Sequence, residues 1–324
     1  MDDIRDNFLL CVDPTKLRLK NLPNFVFICG GIRHDVDNPR PGSMRDALLR
    51  RLSETDLALS ERIKEAEEFQ DWLEHSHIDN LIDFEIVLAD LASAVILVVE
   101  GLGAYAELGA FSVIESISNK LITIVNTNTL ILKSFINLGV IKYLEDNSRT
   151  ILRYGWNVEY IVRGVGRNNV TLSLNGTNEE IHDKADIILD RLKQEVNNKT
   201  RSSAVFNKDI KGHVCLAIAE LIFIFSALKL NEIKKYLHSG FNIDLPIGKI
   251  KEYLYTLEKL DITSKENAGD VYYVATSLNE GFIKYRYFDE RDSILEFSDA
   301  NEIKAKMILF YRTHDASRAS VINN

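Results

Sequence analysis

Residues Ala94-Val-Ile-Leu-Val-Val99 are an unbroken apolar run rich in β-branched side chains, closed by Glu100-Gly-Leu. A run this short, bounded by glycine, reads as a strand buried on both faces, as in a parallel sheet. Phe25-Val-Phe-Ile-Cys29, ended by Gly30-Gly31, and Lys120-Leu-Ile-Thr-Ile-Val125 repeat the pattern. Helical spacing separates the strands. Ser43 suits an N-cap with Asp46 three residues on, for a helix to about Leu52. Asp79 to Leu91 is a second helix, and Glu107 to Asn119, with Leu108, Phe111, Val113, Ile114 and Ile117, a third. Glu61 to Leu73 fits a helix or a short strand. This alternation predicts an α/β fold, a Rossmann-like doubly wound parallel sheet.

The second half changes character. Thr171 to Glu180 reads as a loop, Ile181 to Val196 as an amphipathic helix, and the polar stretch Asn197 to Ser203 as a linker. Helices follow over Val214–Leu228, Leu230–His238 and, after a break at Ser239-Gly240, Ile247–Leu260. Gly269-Asp270 then separates two strand-like stretches. Three helices and a hairpin are the winged-helix arrangement. The division expected from sequence is 1–160 catalytic domain, 161–204 helical connector, and 205–324 winged-helix domain with a C-terminal tail.

Charge and composition exclude several classes. The net charge of −9 opposes nucleic-acid binding by the whole surface, which needs cations to displace counterions. From Val205 to Ala275, nine Lys meet nine Asp and Glu, so the winged helix is electrically balanced and suits a protein surface as well as DNA. No apolar run reaches the ~18 residues of a membrane span. The acidic Met-Asp-Asp-Ile-Arg-Asp start is unlike a signal peptide. Cys11, Cys29 and Cys215 are too scattered for a disulfide framework or a zinc site. His75 and His77 point in different directions on a helix, and nothing completes a metal site around them. A cytoplasmic protein without metal or cofactor is expected. Whether copies associate is left open.

Ligands of open α/β sheets bind beyond the carboxyl ends of the strands. There the chain places Gly103-Ala-Tyr-Ala-Glu-Leu-Gly109, with Glu107 in the first turn of the expected helix. A carboxylate in that position can act as nucleophile or stabilise an oxocarbenium-like sugar. It also suits the helix dipole alone. Gly103 and Tyr105 share the turn. Gly30 and Gly31 fit either a phosphate-approaching backbone or a plain tight turn, and Ser43 and Arg45 begin the next helix. Arg45 fits phosphate pairing or a plain surface role. Asp83 and Glu85 open the helix that leads into the 94–99 strand, with Asp83 expected to face the crevice. Asn137 follows the 120–125 strand to the same edge.

These segments resemble the nucleoside 2-deoxyribosyltransferase superfamily, in which a glutamate of a G-x-x-x-E-[LI]-G turn attacks the anomeric carbon. They are more similar still to the transferase-like toxins that serve as effectors of bacterial retrons. The likeness runs through Phe27-Ile-Cys-Gly-Gly31, Ser43-x-Arg45, Ala106-Glu-Leu-Gly-Ala-Phe-Ser112, Lys120-Leu-Ile and Ser134-Phe-Ile-Asn-x-Gly139. Ala104 departs from the small hydroxyl residue common in true transferases, which favours hydrolysis over transfer. A less close likeness, to cytokinin-riboside phosphoribohydrolases, lacks their P-G-G-x-G-T signature.

The resemblance implies a retron toxin held inactive by a reverse transcriptase and its multicopy single-stranded DNA. When triggered by phage, it would cleave an N-glycosidic bond, with NAD as a substrate and not a cofactor. Glu107 would then be catalytic, Asp83 would orient sugar hydroxyls or water, and Gly30, Gly31 and Arg45 would hold phosphates. Ser43, Gly103, Tyr105 and Asn137 complete the expected substrate site. Two alternatives stand beside it: nucleoside or nucleotide cleavage, and a non-enzymatic nucleotide-sensing regulator.

Overall fold

The computed structural model describes residues 3–35, 37–69, 80–163, 169–199, 204–276, 280–288 and 299–322; over 160–163 and 169–171 it describes backbone alone. The chain forms two compact units from interleaved segments: Pro23–Gln70 with Ala92–Arg201, and Met1–Leu22 with Asp71–Leu91 and Ser202–Asn324. Helix Leu81–Leu91 thus belongs with the C-terminal segment, although the sequence reads it as the crossover into the 94–99 strand. The 178–198 helix, expected as a connector, is part of the sheet unit.

The sheet unit is built on five parallel strands: β1 (Val26–Cys29), β2 (Ile63–Glu65), β3 (Ala94–Val99), β4 (Leu121–Asn126) and β5 (Thr150–Tyr154). They run in the order β2-β1-β3-β4-β5. Every residue of β1, β3 and β4 is buried, as their sequences require. Val26, Ile28, Ala94, Ile96, Val98, Ile122 and Ile124 share one core with α1 (Met44–Thr55) and α3 (Asn178–Asn198). The alternate residues Phe27, Cys29, Val95, Leu97 and Val99 point to the opposite face. There α2 (Leu102–Ser112) packs on β3 and β4.

Ser43 is the N-cap of α1, accepting from the Asp46 amide. Asp46 does not complete a capping box. Its carboxylate turns instead to the amides of His34 and Gly42. The expected 107–119 helix begins earlier, at Leu102, and stops at Ser112; a separate turn covers Glu115–Ser118. The expected 171–180 loop is partly strand: β6 (Val158–Arg163) pairs with β7 (Asn169–Leu174) before α3 starts at Asn178.

In the second unit α4 (Lys211–Phe225) is buried over nearly its whole length. Strand β8 (Ala227–Leu228), helices α5 (Leu230–Phe241) and α6 (Ile247–Lys259), and the hairpin β9 (Thr263–Asn267) and β10 (Val271–Ala275) follow. The three strands form an antiparallel sheet in the order β9-β10-β8. Gly269, at φ +78°, makes the hairpin turn. Helix α5 runs through Ser239-Gly240 and ends on Asn242 in the left-handed conformation, because Asn also tolerates that cap. Gly212 lets α4 approach helix Leu81–Leu91 closely: a Cβ there would stand 2.5 Å from Asp90 Cβ. Among the described residues no helix is long and apolar enough to cross a membrane.

Candidate active site

In a sheet of this order the connections after β1 and β3 leave in opposite directions, and the crevice between them is where such folds hold ligands. Gly30-Gly31 follows β1, and Glu100-Gly101 follows β3. The candidate site is this edge of the sheet.

Glu107 lies in the second turn of α2 and not the first, because the helix starts at Leu102 behind an N-cap at Gly101. The helix-dipole reading therefore loses much of its force, since that effect fades beyond the first turn. Its Oε2 is buried and has no hydrogen-bond partner among the described residues. Burial pushes its carboxyl up to about 7; Arg45 pulls it down, and Glu67 raises it further. An orphaned buried carboxylate oxygen is costly to a fold, so it calls for an explanation in function. Gly103 stands one turn earlier on the same helix face, and a Cβ there would meet nothing within 4 Å. That leaves the helix surface beside Glu107 without a side chain at this position.

Arg45 is only 2 % exposed, and its guanidinium makes a two-pronged pair with Glu67 at 3.0 and 2.5 Å. Burial would raise the Glu67 carboxyl, but the Arg45 bonds hold it below its ordinary range. Glu65 pairs with Arg33, and burial raises its carboxyl. The two terminal nitrogens of Arg45, expected to hold phosphate, thus pair with Glu67, and its buried Nε has no partner among the described residues. Gly30 and Gly31 serve close packing. A Cβ on Gly30 would stand 3.0 Å from Val98, and one on Gly31 2.6 Å from Ser43 Cβ. The Ser43 hydroxyl is occupied as the α1 cap.

Of the remaining expected residues, Tyr105 is half-buried on α2. Asn137 lies in the π-helical stretch Ile136–Ile141, which packs against α2. Its side chain donates to the Leu132 carbonyl at 3.0 Å. Asp83 falls in the other unit, where Lys211 and Lys249 hold its carboxylate at 2.5 and 3.2 Å and keep it below the ordinary range. Asp83 and Glu107 thus belong to different units. His75 and His77 lie outside the described residues. Among the described residues no group of His, Cys, Asp and Glu could hold a metal ion.

Sequence reasoning missed Glu67 and Glu100. Glu67 sits in the stretch that fitted both helix and strand. Glu100 was visible as the first polar residue after the buried run, at the strand's carboxyl end. Burial pushes the Glu100 carboxyl up to about 6, against hydrogen bonds from the amides of Arg45, Met44 and Gly31.

Residues 41–265 match the family described as STM3845 retron effector protein, which covers most of the chain. The chain belongs to this retron effector family. It is also 29 % identical, over 94 % of its length and 90 % of the relative's, to an Escherichia coli protein named "Retron Ec73 putative ribosyltransferase/DNA-binding protein". A second E. coli relative, "Retron Ec86 putative ribosyltransferase/DNA-binding protein", is 34 % identical over 41 % of each chain. Both names hint at glycosyl-transfer chemistry.

Proposed function

We propose that this retron effector is an N-glycosidase of anti-phage defence, with Glu107 as the carboxylate that meets the anomeric carbon of a ribosyl substrate. The observation that carries the reading is the buried, unpartnered Oε2 of Glu107 at the carboxyl edge of the sheet. A carboxylate kept from other partners is free to attack C1′ or to stand beside a developing oxocarbenium ion. As the bond to the base breaks, its electron pair leaves with the base; water then adds to C1′ and releases a proton.

The nicotinamide end of NAD fits this site best. Its base departs as a neutral molecule and needs no proton from a general acid. The carboxylates of Glu65, Glu67, Glu100 and Glu107 outnumber the cations Arg33 and Arg45, which favours a cationic base over an anionic one. Offered NAD, nucleotides and nucleosides in parallel, the full chain should release nicotinamide fastest. Release of a purine or pyrimidine base in preference would overturn the substrate assignment and restore the deoxyribosyltransferase alternative.

The helix–strand–helix–helix–hairpin order of the second unit supports reading it as a winged helix that docks on a reverse transcriptase and its single-stranded DNA, restraining the glycosidase. A truncation near residue 204 cannot test this, because it would strand residues 3–22 and 80–91 without the unit they build. Charge reversal on the surface can. Lys234→Glu with Lys251→Glu in the full chain should reduce co-purification with the tagged transcriptase; undiminished recovery would contradict docking through this face.

A further inference from the structure

The connections around β1 and β3 carry a second built feature. The first amides of a helix that follows a strand and a glycine turn are donors ready for an anion, most often a phosphate. Here they are taken by the protein itself. Glu100 Oε2 accepts from the Met44 amide at 2.8 Å, and Oε1 from the Arg45 amide at 2.9 Å. The Gly31 amide donates to the same carboxylate. Glu100 is 8 % exposed, so these bonds are sheltered from water.

The surroundings close on this carboxylate. A Cβ on Gly31 would stand 3.1 Å from Glu100 Oε1, so the loop lies against it. The neighbouring hydroxyl, Ser43, is spent on the Asp46 amide, and the neighbouring cation, Arg45, on Glu67. The amides at the start of this helix are thus taken within the protein, and of the Arg45 guanidinium only Nε is left without a partner among the described residues.

We propose that Glu100 is a specificity-determining residue that fills the anion seat at the start of α1, so that these amides hold no substrate phosphate. The substrate is recognised there through ribose and base. A riboside is then used as well as its 5′-phosphate, and the pyrophosphate of NAD gains nothing from these amides. A phosphate brought to this turn would meet the Glu100 carboxylate as a like charge, a costly juxtaposition. The kinetic part of this claim rests on the glycosidic reading; the binding part does not.

The test uses the full chain as wild type, Glu100→Ala and Glu100→Gln, at a pH above 7 where Glu100 is ionised. Inorganic phosphate at millimolar concentration should neither bind nor stabilise the wild type. It should bind Glu100→Ala and recover part of its lost thermal stability, because the emptied seat keeps its three amides. Glu100→Gln keeps the side chain's size and serves if the Ala variant does not fold. With nicotinamide riboside and nicotinamide mononucleotide, the wild type should gain nothing in kcat/KM from the 5′-phosphate, and in Glu100→Gln, which has lost the like charge, the mononucleotide should gain about tenfold relative to the riboside. Phosphate binding to the wild type in competition with the riboside would overturn the proposal, as would an unchanged ratio of the two substrates in Glu100→Gln. If the wild type cleaves no glycoside, the glycosidic reading fails, and the phosphate titration alone decides the role of Glu100.

Discussion

Glu107 in the sheet unit and Glu220 in the helical unit are both glutamates whose carboxyls burial pushes up to about 7. Their partners separate them. Glu220 is 1 % exposed, and its carboxylate accepts from the amides of Phe282 and Ile283. It closes the turn that leads from Gly281, whose missing side chain leaves it the room: a Cβ there would run into Glu220 Oε2. Glu107 Oε2 is buried with no hydrogen-bond partner among the described residues. A raised carboxyl therefore marks burial in both places. Glu65 and Glu252 also leave one buried oxygen without a hydrogen-bond partner, but each is held by a cation, Arg33 and Lys249, whereas Glu107 makes no ion pair among the described residues.

Removing each carboxylate should sharpen that contrast. Glu220→Ala leaves two buried amides without an acceptor and should cost about 2–4 kcal/mol of stability, read by urea denaturation. Nicotinamide release per folded molecule should stay at the parental rate. Loss of turnover in a variant of unchanged stability would break the comparison.

A smaller effect of opposite sign is expected at Glu107. Burial pushes its carboxyl up to about 7 in the folded chain from an ordinary 4.5 in the unfolded one, so the folded state holds the proton more tightly. The stability this confers is fully present below about 4.5 and is lost as pH rises through about 7. Glu107→Gln carries no charge to bury. It should therefore be more stable than the parent above pH 7, by about 1–3 kcal/mol, with the gap closing as pH falls toward 4.5. Denaturation midpoints at pH 5 and pH 8 measure this. Equal stability of the two proteins at both would mean that Glu107 is not buried as described.

The legible part of the fold was the part set by local sequence. The β1, β3 and β4 runs are buried on both faces, and burial of that kind leaves an unmistakable β-branched signature. Ser43 announced the start of α1 because a cap acts within three residues. What the sequence could not show was which segments pack together. Helix Leu81–Leu91 precedes β3 and reads as its crossover, yet its Asp83 and Asp90 engage Lys211 and Gly212. The stretch that holds the three-residue β2 stayed open between helix and strand, since so short a strand lacks a decisive period, and the β6–β7 hairpin was read in part as a loop. At the site, the glycines around Glu107 drew attention to its turn. The pairing of Arg45 was not visible because Glu67 lies 22 residues on, nor was the carboxylate at the start of α1, because Glu100 lies 55 residues beyond Arg45.

The central claim is that the open carboxylate of Glu107 meets the sugar. Nicotinamide release from NAD by purified full-length Glu107→Gln, with folding verified by its denaturation curve, tests it most directly. The variant keeps the size of the side chain and loses its charge, so turnover should fall about 10³-fold or more. The parent's rate should rise with pH through about 7 as Glu107 ionises. A folded Glu107→Gln protein that retains more than about a few per cent of the parental rate would contradict the account.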